Sequence, residues 1–209
     1  MPIPEKDKSF YRYTKGHRFA AMYPLLAREI VDKYGLTEGT CLDIGTGSAA
    51  LVIELSKITD LEITALDAEP EAIYMAGENC TLHGVPDGRI RFVTAPVEEL
   101  PLPDESVDLI LSRGAIPFWD DLPSAFREIF RVLAPGGNAM VGCGFSHLQT
   151  LEDVKAMRPV WPPDVLAERT RWKKGGLVED ALRQLGVNTY NITDDDYGTW
   201  VEIYKPGRM

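Results

Sequence analysis

Strand-like and helix-like runs alternate through most of this chain, a pattern that a parallel sheet covered by helices satisfies and that all-helical or all-strand folds do not. Thr40 to Ile44 reads as the first strand and Ala49 to Ile58 as the helix after it. Glu62 to Leu66 and a helix from Pro70 to His83 follow, with the proline at the start where no N–H partner is needed. Arg89 to Thr94 and Val107 to Ser112 are the third and fourth strands. Between Leu122 and Leu133 the residues Phe126, Ile129, Phe130 and Leu133 share one helical face, and Pro135-Gly136-Gly137 is expected to end that helix before a fifth strand, Asn138 to Cys143.

The last third breaks the alternation. Residues 146 to 176 are rich in Pro, Trp and charge and show no clean strand. Leu177 to Leu185 reads as a helix, and Asn188 to Ile192 and Thr199 to Tyr204 read as two strands joined by a turn over Thr193 to Gly198, so the last runs antiparallel. Ahead of the first strand, Phe19, Met22, Leu25, Leu26, Ile30 and Val31 give the amphipathic spacing of one or two helices packed over the sheet's edge or crevice. At 209 residues the chain suits one domain: residues 1–37 as a helical cap, 38–145 as a core, and 146–209 as a second cap segment, a helix and the hairpin. The expected fold is α/β, Rossmann-like and doubly wound, a mostly parallel seven-stranded sheet whose last strand is antiparallel.

Charge and cysteine content narrow the partners. The net charge is −10, distributed as +2 over residues 1–40, −11 over 41–150 and −1 over 151–209. An acidic body argues against a nucleic-acid backbone as the main partner, because such affinity comes from Lys and Arg neutralising phosphates. Cys41, Cys80 and Cys143 are an odd set without metal-binding spacing, so neither a disulfide framework nor a metal site is expected. No apolar stretch reaches the length of a membrane span, and Met1 to Phe10 is charged where an export segment would be apolar, so a cytoplasmic protein is expected.

Between the first strand and its helix stands Cys41-Leu42-Asp43-Ile44-Gly45-Thr46-Gly47-Ser48. Glycines there let the backbone approach a ligand closely, and in open α/β sheets ligands settle at the carboxyl ends of strands where the strand order reverses. Asp67, closing the second strand, is placed to accept both hydroxyls of a ribose. A nucleoside-bearing cofactor follows, and a dinucleotide is one candidate. Asp43, two residues before the first glycine, would repel a pyrophosphate and suits a cation such as an ammonium or a sulfonium.

The segments Leu42-Asp43-Ile44-Gly45-Thr46-Gly47, Ala65-Leu66-Asp67, Glu98-Glu99-Leu100-Pro101 with Val107 to Ser112, and Arg131 to Gly137 together resemble the class I S-adenosylmethionine-dependent methyltransferases. Within them the chain is most similar to the small-molecule branch that includes quinone and sterol C-methyltransferases. The resemblance implies S-adenosylmethionine as cofactor, S-adenosylhomocysteine as product, and a small or medium-sized acceptor methylated by in-line displacement; an NAD(P)-dependent oxidoreductase, a cofactor-binding protein without catalysis, and a methyltransferase whose acceptor is a protein or tRNA are the alternatives. It implies that Gly45, Thr46 and Gly47 pass along the methionine part, that Asp43 reaches its ammonium, and that Asp67 holds the ribose with Ala68 beside the adenine. Where the family places an acid for the adenine this chain has Pro96, so that contact is absent or supplied by Glu98, with the backbone N–H of Val97 beside the ring. Ser112 and Arg113 occupy the place that closes over the methionine and faces the acceptor; Arg113 suits an acceptor carboxylate or phosphate or the cofactor's own carboxylate, and its adjacency to Ser112 favours the last.

Acceptor-side candidates hang above the strand ends: Phe10, Tyr11, Tyr13 and His17 before the core, Phe118 and Trp119 after the fourth strand, and Cys143 and His147 after the fifth. The aromatic rings suit stacking on a planar acceptor. The histidines suit a general base if the acceptor must lose a proton, whereas His83 reads as a helix cap.

Overall fold

The computed structural model describes residues 11–207. Its helices are α1 (Met22–Tyr34), α2 (Ala50–Ser56), α3 (Pro70–Leu82), α4 (Leu122–Val132), α5 (Leu151–Met157), α6 (Pro163–Arg169) and α7 (Leu177–Gln184). The strands are β1 (Thr40–Ile44), β2 (Glu62–Asp67), β3 (Ile90–Thr94), β4 (Val107–Arg113), β5 (Leu133–Gly142), β6 (Tyr190–Asp195) and β7 (Gly198–Tyr204). They form one seven-stranded sheet in the order β3-β2-β1-β4-β5-β7-β6. Pairings from β3 through β5 are parallel, and β7 runs antiparallel to both β5 and β6. The order reverses between β1 and β4, and in open α/β sheets ligands settle at such a point, at the carboxyl ends of the strands.

The pleat explains why both faces are apolar. Side chains alternate along a strand. Cys41, Ile63, Leu109 and Leu111 face a cluster with Met22, Leu26 and Ile30 of α1, Val52 and Ile53 of α2, and Ala76 and Cys80 of α3. Leu42, Ile44, Leu66 and Ile110 face the other cluster, with Phe126, Ile129 and Val132 of α4 and Val178 and Leu182 of α7. Three layers result, with helices on both sides of the sheet.

The amphipathic run before the core makes a single helix, ended by Gly35 in the left-handed conformation. Two expectations are corrected. α4 ends at Val132, earlier than the Pro135-Gly136-Gly137 stop, because Leu133 already pairs with Val107 and the register then jumps to Leu109 with Asn138. The proline and glycines are therefore an irregularity inside β5. β6 runs on to Asp195, opposite Gly198, which shrinks the expected turn to Asp196 and Tyr197. Residues 146–176 hold α5, α6 and a short 3-10 turn at Arg171–Lys173. α5 opens on a legible cap: the Thr150 hydroxyl accepts from the Asp153 N–H and donates to the Asp153 carboxylate.

Candidate functional site

The glycine turn is shaped by close approach. Gly45 and Gly47 have φ of 71° and 52°, and a Cβ on Gly45 would run into the Ala115 Cβ beyond β4. The Gly45 and Thr46 N–H groups both donate to the Leu66 carbonyl, at 2.8 and 2.9 Å. The turn is thus pinned to β2 on one side and closed by the loop after β4 on the other. Ala49, just before α2, also takes a left-handed conformation with φ 59°, unusual for a residue with a side chain.

Two carboxylates stand at this turn. Asp67 accepts the Gly47 N–H at 2.9 Å on one oxygen and the Glu69 N–H at 3.1 Å on the other. Each oxygen keeps a second lone pair for hydroxyl donors. Burial raises its pKa against the pull of those backbone bonds. Asp43 is buried, and that burial pushes its carboxyl up to about 7, with Thr46 drawing it back and Asp67 adding to the rise. The Thr46 hydroxyl, close enough to influence Asp43, is itself buried without a hydrogen bond of good geometry. A buried acid whose carboxyl is pushed up, beside a hydroxyl without a well-formed bond, is an arrangement that suits a cationic, hydrogen-bonding group.

β4 supplies the next wall. The buried Ser112 hydroxyl donates to the Ile44 carbonyl at 2.8 Å, locking the ends of β4 and β1 together. The Arg113 guanidinium lies 4.3 Å from the Phe19 ring centre and within 6 Å of the rings of Tyr23 (5.7 Å) and Phe145 (5.5 Å). It donates weakly to the Gly144 carbonyl and the Tyr23 hydroxyl, and it forms no salt bridge among the described residues. This cation keeps donors to offer.

The segment before α1 roofs the turn. The Tyr11 ring lies 3.7 Å from where a Cβ on Gly47 would be. His17 packs edge-on against Tyr13 and Phe19 and near Tyr23, and burial together with Arg113 holds its pKa below the usual value. Its Nδ1 accepts the Phe19 N–H at 3.2 Å, which leaves the proton of the neutral ring on Nε2. Phe10 lies outside the described residues.

Several sequence candidates sit elsewhere. Tyr13 turns inward: its ring stacks on His83 at 4.7 Å and its hydroxyl donates to Glu54 at 2.9 Å. Trp119 is buried against Phe126 in the core, because the 3-10 turn at Ile116–Phe118 points it down and leaves Phe118 outside. His147 is clamped between Glu29 at 2.8 Å and Asp195 at 3.2 Å, so both ring nitrogens are occupied. Burial pushes the Cys143 thiol up to about 11, which leaves it protonated and a poor nucleophile. Ala68 is exposed just after β2, Val97 is buried in the core, and Glu98 is half-buried in the 3-10 turn Val97–Glu99 that follows β3. Sequence reasoning missed Asn79, whose one visible signal is that an amide falls on the buried stripe of α3 between Ala76 and Cys80.

A reversed-order parallel sheet with this glycine turn and two acids defines a nucleoside-cofactor fold. A family described as "Methyltransferase domain" matches residues 42–141. The crystal structure of a putative S-adenosyl-L-methionine-dependent methyltransferase from Methanococcus maripaludis is 32% identical, with a TM-score of 0.78 over 92% of this chain and 89% of that one. A ribosomal protein L11 methyltransferase of Trichlorobacter lovleyi is 48% identical over 48% of this chain and 30% of its own length. The ubiquinone/menaquinone biosynthesis C-methyltransferase UbiE of Marinomonas sp. (strain MWYL1) is 28% identical over 68% of this chain and 61% of its own. The chain belongs to the class I S-adenosylmethionine-dependent methyltransferases. It spans less than half the length of the first curated relatives it matches.

Proposed function

We propose that this chain transfers a methyl group from S-adenosylmethionine to a small or medium-sized molecule, leaving S-adenosylhomocysteine. The observation that carries this reading is the buried Asp43 and Thr46 pair at the glycine turn, an arrangement that suits a cation and not a pyrophosphate. Relatives named for quinone and sterol methylation favour a small acceptor over a dinucleotide oxidoreductase. Bound at the turn, the cofactor supplies a methyl that is already activated.

What remains for the protein is to bind, align and exclude water. Asp43 takes the cofactor's ammonium, directly or through a water, and Gly45, Thr46 and Gly47 line its methionine part. Asp67 takes the ribose hydroxyls, while Ala68, Val97 and Glu98 border the adenine. Ser112 holds the crevice wall, and Arg113 offers its free donors to the cofactor's carboxylate. Tyr11 and His17 stand on the acceptor side. Because the Phe19 N–H occupies Nδ1, His17 donates from Nε2 to an acceptor oxygen and takes no proton until that bond is released. Trp119, Cys143 and His147 have no part in this reading, since Trp119 packs in the core, His147 is held by two acids and burial keeps the Cys143 thiol protonated.

The same reading makes residues 1–209 one methyltransferase domain, capped by 1–37 and by the segment after 145, and places it in the cytoplasm. Among the described residues no helix is long and apolar enough to cross a membrane. The acidic body gives a nucleic acid little to hold. Melting temperature with S-adenosylmethionine, set against NAD and ATP, tests the cofactor. A selective rise is expected because a ligand that binds only the folded state stabilises it, and equal curves with all three would remove the reading.

A further inference from the structure

Asn79 lies in the last turn of α3, 1% exposed, on a buried face otherwise made of Ala72, Met75, Ala76 and Cys80. A buried amide is costly unless its donors and acceptor are used. Here Nδ2 donates to the Tyr11 carbonyl at 2.6 Å and to the Ser48 carbonyl at 3.0 Å, and Oδ1 accepts the Tyr13 N–H at 3.2 Å. The partners fix the orientation of the amide, because two carbonyls need donors and one N–H needs an acceptor. One side chain therefore joins the strap before α1, at two of its residues, to the loop that carries Gly45 and Gly47.

The neighbours reinforce that bond set. The Tyr13 hydroxyl donates to Glu54 on α2, and His83 Nε2 donates to the Tyr13 carbonyl at 2.8 Å while its ring stacks on Tyr13. The result is a strap held from α2 and α3, with the Tyr11 ring laid over Gly47. We propose that Asn79 is a positioning residue for the cofactor: its amide fastens the Tyr11–Tyr13 strap over the glycine turn, so that cofactor binding and strap closure are one event. This rests on the methyltransferase reading and adds to it a residue that never touches the reacting atoms.

Asn79→Asp keeps the acceptor for Tyr13 and turns the two carbonyl-facing donors into a repelling carboxylate. Calorimetry with S-adenosylhomocysteine is expected to show binding weakened about tenfold, the scale of lost hydrogen-bonded anchors on a buried amide. Limited trypsin digestion reads the strap itself, since Arg12, Lys15 and Arg18 are exposed on it. S-adenosylhomocysteine should slow cleavage there in the wild type, and saturating ligand should fail to do so in Asn79→Asp. A residue that merely holds α3 together would lower the melting temperature and leave that protection intact, which would overturn the proposal.

Tyr13→Phe cuts the tie to Glu54 without disturbing α3 and decides the matter if Asn79→Asp does not fold. A few-fold weaker binding with faster strap cleavage supports the proposal, and wild-type behaviour in both assays overturns it. Wild-type protein that binds no S-adenosylhomocysteine would sink the methyltransferase reading and this proposal together. Normal wild-type binding with unaltered variants would sink this proposal alone.

Discussion

The half of the sheet around β1 and β2 and the elements that hang over β4 and β5 serve one crevice by different means. Around β1 the geometry is enforced by backbone: two left-handed glycines, paired N–H groups on the Leu66 carbonyl, and a strand-end acid tied back to the Gly47 N–H. Over β4 and β5 it is enforced by side chains from distant parts of the chain, such as Phe19, Tyr23 and Phe145 around Arg113. Backbone enforcement allows few residue types. Side-chain enforcement tolerates many combinations, which leaves the acceptor free to differ between proteins that share the fold.

Substitutions should divide along that line. Trp119→Ala carries the largest stability cost: it empties a core position and should remove about 3–5 kcal/mol in chemical denaturation. Affinity for S-adenosylhomocysteine should hold in the same variant, and a parallel loss of affinity would return Trp119 to the site. Gly45→Ala should act in the opposite sense, weakening that affinity up to about a hundredfold, because a Cβ there meets Ala115 at a strained φ. Near-normal calorimetric binding by Gly45→Ala would show that the turn is not where the cofactor lies.

Asp43 gives an intermediate effect with a definite pH direction. Its folded pKa, near 7, lies above the ordinary carboxylate value, so the fold favours the protonated form, while a bound ammonium favours the ionised one. Affinity should rise with pH up to about 7, by roughly tenfold per unit below that point, and then level off. Asp43→Asn should bind weakly with a flat profile, and a sloping profile in that variant would assign the proton to another group.

The smallest effect belongs to His147. Burial lowers its pKa, but the bonds to Glu29 and Asp195 outweigh it and the net direction is up. Stability from this half-exposed tie is present below the unfolded value near 6.5 and is lost as pH rises through the folded one. His147→Ala should cost less than about 1 kcal/mol at mildly acid pH and still less at alkaline pH, with no change in cofactor affinity. Thermal denaturation at two pH values checks the stability, and reduced cofactor binding would bring His147 back to the acceptor side.

The glycine turn and its two acids were legible because they are contiguous: Asp43 to Gly47 is one turn, and Asp67 ends the adjacent strand. β1 was read at its observed limits for the same reason, since turn residues bound it on both sides. The cap was hard to read because what decides it is remote. Whether Tyr13 faced a ligand or the core depended on Asn79, Glu54 and His83, all far along the chain. Trp119 was misplaced because aromatic character signals stacking and burial alike, and only α4 beneath it settles which. In residues 146–176 the Thr150 cap could be found, yet α6 buries none of its residues and so leaves no apolar period to detect.

One feature of the sheet bears on how the molecule is made. β7 lies between β5 and β6, so the strand synthesised last among them takes an interior place. During translation β5 stands as an open edge, with Ala139 and Val141 of its apolar residues waiting for Ile203 and Val201. A ribosome that stalls before β7 would therefore release a sheet whose growing side offers unpaired amides to any neighbouring nascent chain.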